Sequence, residues 1–354
     1  MMKKILVISH QLSRTGAPIV LLDVIRICLE HGYYVNVITM MDGELHKELD
    51  DMGVRVKVQE YFFHEAEAFL AEVEPYDMVI ANTLITYEAI HVLKYSKKPV
   101  LWWLHEGRQH FEYFKTVIPD FHKLPDHIHV FSVGHYVQKI IYELYQYKTG
   151  ILHFYVEDVP AAVPLCREDL KVKFLTVGTY SKVKAQDILA QAIRQISQDD
   201  LKQMEFIFCG NDQMYDEDVY MSVKQLADDF ENVTMIPAVS HEELLKIIDS
   251  CDCLVVPSRI EPMPTVAVES MMKEKPCLCT NVCGVAHYIK DGENGYLVLP
   301  EDVQALRKKI ESIFNNRQEL EMVGKEGRKI YEQYFSKEVI ENQILGLIRQ
   351  YCIA

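Results

Sequence analysis

The chain has 354 residues, of which 49% are hydrophobic and 25% charged, the composition of an ordinary globular protein. Its length exceeds the usual limit for a single hydrophobic core, so two domains are expected. The formal net charge of −15 argues against nucleic-acid binding and gives no support to broad adhesion to anionic membranes.

The apolar runs and the cysteines indicate the cell compartment in which we expect the protein. No apolar run of the sequence approaches the roughly 20 residues that a membrane-spanning helix needs. The apolar start, residues 1–9, is too short for a signal peptide and continues into a strand pattern, so we expect a cytoplasmic protein. The nine cysteines are scattered and several lie in strand-like runs, which predicts reduced, buried thiols. The gaps between Cys277, Cys279 and Cys283 match no common zinc spacing, and no metal site is predicted.

The first half alternates short apolar runs with helical patterns. Residues 4–9 form a predicted strand, residues 18–30 an amphipathic helix closed by Gly32, and residues 34–39 the next strand. Further buried strands are predicted at residues 78–81, 100–104, 129–132 and 150–153. Repeated strand–helix–strand units imply a parallel sheet covered on both faces.

The same pattern restarts after a proline-containing stretch. Predicted strands follow at residues 174–177, 205–209, 234–236, 253–256 and 276–279, separated by helical segments. We therefore predict an α/β protein with two Rossmann-like domains, residues 1–163 and residues 164–335, joined near residues 160–167. The turn after the first strand has one glycine, Gly16, where a dinucleotide-binding fold needs several, so an NAD or FAD enzyme is disfavoured.

The most informative segment is VPSRIEPMPTVAVE, at the end of the strand 253–256. A helix is predicted to open at Pro264, whose missing N–H suits the first helical position. The N–H groups of Thr265 and Val266 then have no partner within the helix and form a site for phosphate. Acidic residues beside a phosphate site repel phosphate, so Glu261 and Glu269 should accept hydrogen bonds from hydroxyls. Phosphate flanked by hydroxyls describes a nucleotide sugar.

This segment resembles the E-x7-E motif of the retaining GT-B glycosyltransferases of family 4. The flanking blocks SHEEL and DGENGYLV, at residues 240–244 and 291–298, stand in the order that the family has. The resemblance implies the GT-B fold, in which the parallel sheets of two Rossmann-like domains face a central cleft. The acceptor would bind the first domain and the nucleotide sugar the second. The final segment, residues 336–354, has a predicted helix at residues 337–351, which in the resembled family packs back on the first domain.

The resemblance also implies how the diphosphate of the donor is held. The run VGTYSKVKAQD resembles a block in which an Arg and a Lys neutralise the leaving diphosphate. Lys184 falls on the Lys, but Thr179 stands where the family has Arg. Lys182 either supplies the missing charge or is a solvated lysine. Gly16 lies in a turn that resembles the family's Gly-Gly-Ala loop, where a residue without a side chain lets the backbone approach the ligand.

His105 directly follows the predicted strand 100–104. At this place a histidine of the resembled family contacts the donor sugar or the reacting centre; a surface histidine is the alternative. The aromatic residues Phe111, Tyr113 and Phe114 would line an acceptor groove or pack in the core. Glu261 would hold hydroxyls of the sugar and Glu269 the ribose. The other donor contacts implied by the resemblance are Gly178, Gly210, Pro237, Met263, Pro264, Thr265 and Val266.

The implied function is a retaining, hexosyltransferase-type glycosyltransferase with His105, Lys184 and Glu261 as its catalytic residues. It would move a sugar from a UDP-sugar or a GDP-sugar to a glycan, glycolipid or protein-linked acceptor in bacterial-type surface polysaccharide or glycoconjugate synthesis. No metal or other cofactor is expected, because cationic side chains and backbone amides would stabilise the leaving group.

Two other functions remain open. Thr179 at the Arg position points to an inactive GT-B subunit that positions an active partner, while the acceptor-side motifs weigh against a sugar-nucleotide epimerase. The sequence also leaves open a homo-oligomer and a peripheral contact with the inner face of a membrane through Lys94, Lys97 and Lys98.

Overall fold

The computed structural model describes residues 2–160, 171–211 and 215–352. The chain forms two compact units, one of Met1–Tyr155 with Lys337–Ala354 and the other of Val156–Ser336. The predicted junction between residues 163 and 164 lies outside the described residues.

The first unit is a seven-stranded parallel sheet in the order β3-β2-β1-β4-β5-β6-β7. Every residue of β4 and β5 is buried, because helices cover both faces of the sheet. Its strands are β1 (Lys4–Gln11), β2 (Tyr34–Met41), β3 (Arg55–Val58), β4 (Met78–Asn82), β5 (Val100–Leu104), β6 (Ile128–Ser132) and β7 (Gly150–Ile151). Its helices in order are α1 (Gly16–Glu30), α2 (Leu45–Asp51), α3 (Ala66–Val73), α4 (Tyr87–Leu93), α5 (Arg108–Tyr113) and α6 (His135–Tyr145).

The second unit is a six-stranded parallel sheet in the order β10-β9-β8-β11-β12-β13. Its strands are β8 (Val172–Val177), β9 (Met204–Gly210), β10 (Val233–Pro237), β11 (Cys253–Val256), β12 (Cys277–Thr280) and β13 (Tyr296–Val298). Its helices are α7 (Gln186–Ile193), α8 (Gln198–Leu201), α9 (Glu217–Asp229), α10 (His241–Ser250), α11 (Thr265–Met272), α12 (Val303–Asn315) and α13 (Leu320–Tyr334). The last helix of the chain, α14 (Lys337–Tyr351), belongs to the first unit.

The strand order reverses once in each sheet, between β1 and β4 in the first and between β8 and β11 in the second. In open parallel sheets the carboxyl ends of strands at such a switch point diverge and leave room for a ligand. The segments singled out in the sequence follow these four strands or their neighbours. The predicted α/β architecture of two Rossmann-like units is confirmed. The eight described cysteines are free and buried, as predicted.

Candidate functional site

The loop after β8 folds back on its own first residue. Gly178 has φ 139°, a backbone conformation that favours glycine. The side chain of Gln186 donates hydrogen bonds to the carbonyls of Gly178 (3.2 Å) and Thr179 (3.1 Å) and accepts one from the Ser181 N–H (3.3 Å). The side chain of Lys184 consequently lies over Gly178, where an added Cβ would be 3.4 Å from Lys184 Cε.

Arg259, in the loop after β11, ties this β8 loop in place. Its guanidinium makes two 3.0 Å hydrogen bonds to the carboxylate of Asp187 and one of 2.6 Å to the carbonyl of Lys182. Its backbone N–H donates to the Val183 carbonyl at 2.8 Å, and its Nε donates to Glu301 at 2.9 Å. The Asp187 carboxylate is the main reason why the pKa of Arg259 is raised. The two loops at the switch point therefore form one hydrogen-bonded structure.

Lys184 and Glu261 meet at this place as an ion pair. The Glu261 side chain is 14% exposed, and its other neighbour is the Ser258 hydroxyl at 3.5 Å. The Glu261 carbonyl accepts the N–H of Gly284 at 2.8 Å. A Cβ at Gly284 would lie 1.8 Å from the Pro262 carbonyl oxygen, so only glycine fits there. This close backbone contact fixes the segment that carries Glu261.

Helix α11 begins at Thr265, one residue after the predicted start. The prediction that Pro264 is the first helical residue is wrong: Pro264 has ψ 114° and is the N-cap, and its carbonyl accepts from the Ala267 N–H at 3.2 Å. The fixed φ of proline suits the N-cap as well as the first turn, which is why the sequence could not separate the two positions. The N–H groups of Thr265 and Val266 open the helix as expected.

Glu269 lies one turn further along α11, and its carboxylate is nearly buried. Its Oε1 is 2.8 Å from Nε2 of His241 at the start of α10. A capping box of Ser240 and Glu243 fixes that helix start, so the backbone that carries His241 is held firmly. Nothing in the sequence indicated that His241 faces Glu269, because the two residues lie on different helices.

The remaining predicted donor contacts lie at neighbouring strand ends. Pro237 at the end of β10 pairs with Gly210 at the end of β9. A Cβ on Gly210 would come within 2.4 Å of the Gly178 carbonyl oxygen, so glycine there lets β9 approach the β8 turn closely. Met263 is buried. Lys182 is 53% exposed with its Nζ 3.8 Å from Asp218, and the structure brings Lys184 rather than Lys182 to Glu261.

The first unit holds Gly16 and His105. Gly16 is the first residue of α1 and has open space where a Cβ would lie, so neither packing nor φ requires glycine there. The His105 ring lies 4.4 Å from the Trp103 ring, and its Nε2 is buried without a hydrogen-bond partner among the described residues. Burial, helped by the nearby His10, lowers the pKa of His105 to about 3. Of the predicted acceptor aromatics, Phe111 is buried in the core and Tyr113 is 80% exposed.

Two general findings concern the described residues only. Nowhere in residues 2–160, 171–211 and 215–352 do three or more His, Cys, Asp or Glu side chains gather as a metal would require. None of the helices within those ranges is both long and apolar enough to span a bilayer.

Two family models match the chain. The model described as "Glycosyl-transferase family 4" matches residues 1–134, and the model described as "Glycosyl transferases group 1" matches residues 167–330. The chain belongs to the family 4 glycosyltransferases. The matched ranges contain every residue singled out above.

Curated relatives support the family over part of the chain. An uncharacterised glycosyltransferase of Methanocaldococcus jannaschii is 29% identical over 160 residues, which are 45% of this chain and 43% of the relative. The capsular polysaccharide biosynthesis glycosyltransferase CapM of Staphylococcus aureus is 31% identical over 113 residues, 32% of this chain and 29% of CapM. The chain thus spans less than half the length of these curated relatives.

Solved structures resemble this protein over nearly its whole length. A glycosyltransferase from Rickettsia africae has a TM-score of 0.81 at 15% identity, with 99% of this chain and 98% of that chain covered. HepE of Anabaena, crystallised in complex with UDP and glucose, has a TM-score of 0.79 at 18% identity, with 99% and 100% covered. These likenesses concern the fold, and the predicted GT-B fold is confirmed.

Proposed function

We propose that this protein is a retaining glycosyltransferase that transfers a hexose from a UDP-sugar to a glycan or glycolipid acceptor. The observation that carries the proposal is the Lys184–Glu261 pair at the switch point between β8 and β11, beside the first N–H groups of α11. A cation, a carboxylate and free amides in one place match a ligand with a diphosphate and hydroxyls. The UDP complexes of HepE favour uridine as the base.

Each group would take a separate part of the donor. The Lys184 ammonium would leave its present partner Glu261 for the diphosphate, together with the N–H groups of Thr265 and Val266. Glu261 would then be free to accept hydrogen bonds from hydroxyls of the sugar. Glu269, with Oε1 held by His241, would offer Oε2 to the ribose.

The proposed reaction keeps the configuration of the sugar. The bond between the anomeric carbon and the diphosphate oxygen breaks, and the acceptor oxygen bonds to that carbon from the same side. The proton of the acceptor hydroxyl passes to the departing phosphate oxygen. Charge grows on that oxygen in the transition state, where Lys184 and oriented amides stabilise it most. Gly16 would let the backbone of the first unit come close to the ligand, since it carries no side chain.

A thermal-shift screen with UDP-glucose, GDP-mannose and ADP-glucose tests the donor first. A ligand at about 100 times its Kd should add about 2.7 kcal/mol to the free energy of unfolding. We expect UDP-glucose to raise Tm and the other two to leave it unchanged. Nucleotide release from the stabilising donor is then measured with 5 mM EDTA and without it, at about equal expected rates because cationic side chains replace the metal. Loss of release in EDTA, restored by Mn²⁺, would contradict the metal-free mechanism.

An inactive GT-B subunit is the second candidate, because Thr179 leaves Lys184 as the single cation at Glu261 within the described residues. That candidate predicts donor binding in the screen with no nucleotide release under any condition. Conversion of the donor sugar without an acceptor would instead indicate an epimerase.

A further inference from the structure

Three polar side chains gather at the carboxyl ends of adjacent strands in the first unit. His10 lies near the end of β1, Thr83 follows β4, and His105 follows β5. Nδ1 of His10 is 3.2 Å from the Thr83 hydroxyl, and His10 is close enough to His105 to lower its pKa. We name His10, Thr83 and His105 the polar cup. Its one buried atom without a partner among the described side chains is Nε2 of His105, and such an atom in a fixed site points to a missing ligand.

The carboxylate of Glu106 lies behind the polar cup. Its Oε1 accepts the N–H of Leu84 at 2.6 Å, and its Oε2 accepts the N–H of His105 at 2.9 Å. The side chain is buried, and burial raises its pKa to about 7 against the opposing effect of these N–H donors. Burying an ionised carboxylate costs free energy unless it is hydrogen-bonded. We therefore expect the role of Glu106 to lie in what its two hydrogen bonds hold in place.

The turn that Glu106 holds is strained. Thr83 has φ 76°, which is rare and unfavourable for a β-branched residue. Its N–H donates to the Trp103 carbonyl at 2.7 Å, and its carbonyl accepts from the indole N–H of Trp102 at 2.9 Å. The Thr83 carbonyl also accepts a hydrogen bond from the Thr86 hydroxyl at 2.9 Å. The backbone N–H groups of Thr83 and Leu84, however, are both held by acceptors on β5 or the loop after it, the Trp103 carbonyl and the Glu106 carboxylate.

We propose that Glu106 is a positioning residue, whose carboxylate holds Thr83 and His105 in place so that the polar cup can receive a hydroxyl group of the substrate. The proposal rests on the proposed function for the identity of the substrate. Its geometric part, the joining of the Thr83 turn to His105 through one carboxylate, is independent of that function. The pKa of His10 is lowered to about 4 by burial, so both imidazoles of the polar cup are neutral at pH 7 and suit a hydroxyl better than a phosphate.

The ionisation of Glu106 gives the role a pH dependence. The carboxylate accepts both N–H groups, whereas a protonated carboxyl has one oxygen that donates and accepts only weakly. The turnover number should therefore fall as the pH decreases through about 7. The titratable groups of the polar cup, His10 on β1 and His105 after β5, stay neutral from pH 5.5 upward and add no step there.

The kinetic test compares Glu106→Gln with the parent, using UDP-glucose and measuring UDP release between pH 5.5 and 8.5. In Gln only the carbonyl oxygen accepts, whereas the N–H groups of Leu84 and His105 donate to different oxygens of Glu106, so one of the two hydrogen bonds is lost. We expect kcat at pH 8 to fall about ten-fold or more, the effect of one lost charged hydrogen bond. The decrease toward acid should disappear in the variant, and the Kd for UDP should stay within about two-fold, since UDP contacts are proposed for the second unit. Glu112→Gln is the matched control, because Glu112 is 53% exposed on α5 nearby. Unchanged kcat and an unchanged pH profile in Glu106→Gln would overturn the proposal.

A second measurement needs neither enzymatic activity nor the Glu106→Gln variant. Nitrogen-15 NMR of the histidine rings in the full chain follows His105, identified by its loss in His105→Gln. We expect its signals to move with a midpoint near pH 7 while the ring stays neutral, because the carboxylate that orients it is titrating. Signals that stay still from pH 5.5 to 8.5 would refute the positioning role. If the parent protein turns over no donor, the proposed function is refuted, but this titration still tests the role of Glu106. The same titration also decides the question if Glu106→Gln does not fold.

Discussion

At the scale of single residues, the candidate site has few cations that could stabilise a leaving diphosphate. Lys184 is the cation that contacts Glu261, and Thr179, at the position where the sequence resemblance implies an Arg, has an exposed side chain without charge. Arg259 is close in the chain, but its charge is already shared between Asp187 and Glu301. Lys184 should consequently carry more of the leaving-group charge than its counterpart in a protein that has both cations.

Replacing Lys184 by Ala should lower kcat by on the order of 10²-fold, with a smaller change in donor affinity, because the charge that Lys184 meets grows in the transition state. Steady-state kinetics of nucleotide release would measure both constants. Lys202→Ala is the control, since Lys202 is an exposed lysine paired with Asp199. Full activity of Lys184→Ala would mean that another cation, Lys182 or Arg14, supplies the charge.

Replacing Glu269 by Ala should weaken the binding of UDP itself, with or without a sugar attached. The loss of hydrogen bonds between a carboxylate and the ribose hydroxyls should cost roughly 1.5–3 kcal/mol, which isothermal calorimetry would detect. His241→Ala should weaken UDP binding less, because it frees the Glu269 carboxylate to move without removing it. Glu242→Ala is the control on the same turn of α10, where Glu242 pairs with Lys246. Equal affinities of Glu269→Ala and the parent for UDP would exclude the ribose role.

At the scale of elements, Arg259 joins the loops after β8 and β11 into one hydrogen-bonded unit. Its contacts reach the carbonyls of Lys182 and Val183 and the carboxylate of Asp187. Asp187 is 13% exposed and Arg259 22% exposed, so this pair is shielded from water far more than a surface salt bridge. Lys184 is held between Val183 and α7, and its position should depend on this pair.

Replacing Arg259 by Met should lower kcat about ten-fold and also lower Tm, because it leaves the Asp187 carboxylate without its partner and frees the β8 loop. The double variant Arg259→Met/Asp187→Asn should be no worse than the single one, as expected for two residues that act through each other. Arg307→Met is the control, since Arg307 has similar exposure and pairs with Glu311 within α12. Additive losses in the double variant would show that Arg259 does not act through Asp187.

The sequence predicted elements well where a strand is a continuous apolar run. The predictions for β5 and β11 match the structure, and α14 begins and ends as predicted. The sequence missed β3 and β13, since RVKV has no fully buried residue and lies at a sheet edge, and YLV has only three residues. Both gain their strand geometry from pairing with a neighbour, which a local pattern does not show.

The candidate site could be predicted from the sequence only where its motifs are local. The sequence singled out Lys184, Glu261 and Glu269 by motif, and the structure brings Lys184 to Glu261. The role of these residues in donor binding stays a prediction. The sequence did not reveal the roles of Arg259 and His241, although both lie within recognised motifs. Their partners, Asp187 and Glu269, are 72 and 28 residues away in the chain. Only the tertiary fold brings such partners together, and the same holds for Glu106 and Leu84.

At the scale of the whole molecule, the first unit is built from both ends of the chain. Helix α14 follows the second unit in sequence and yet contributes to the core of the first. Gln343 donates to the Ile151 carbonyl at 2.6 Å, and the Tyr351 ring stacks on His129 with centroids 3.7 Å apart. Its buried face consists of Ile340, Ile344, Leu345 and Ile348.

Removal of residues 337–354 should therefore unfold the first unit. Each of the four buried aliphatic side chains of α14 is worth about 1.5–3 kcal/mol, and a whole domain is stable by only about 5–15 kcal/mol. The second unit has its own sheet and core and should stay folded and bind UDP with a Kd within about two-fold of the parent, provided that the proposed donor site is right.

Hydrogen exchange followed by mass spectrometry separates the two units in one experiment. Peptides from β1, β4 and β5 should lose protection in the truncated chain, while peptides from β8 and β11 should keep it. Gln343→Ala is the control, because it removes one hydrogen bond and leaves the apolar face of α14 intact. Protection of β4 and β5 at the parental level after truncation would show that the first unit holds its core without α14. Loss of protection in β8 and β11 as well would show that the second unit needs the first in order to fold.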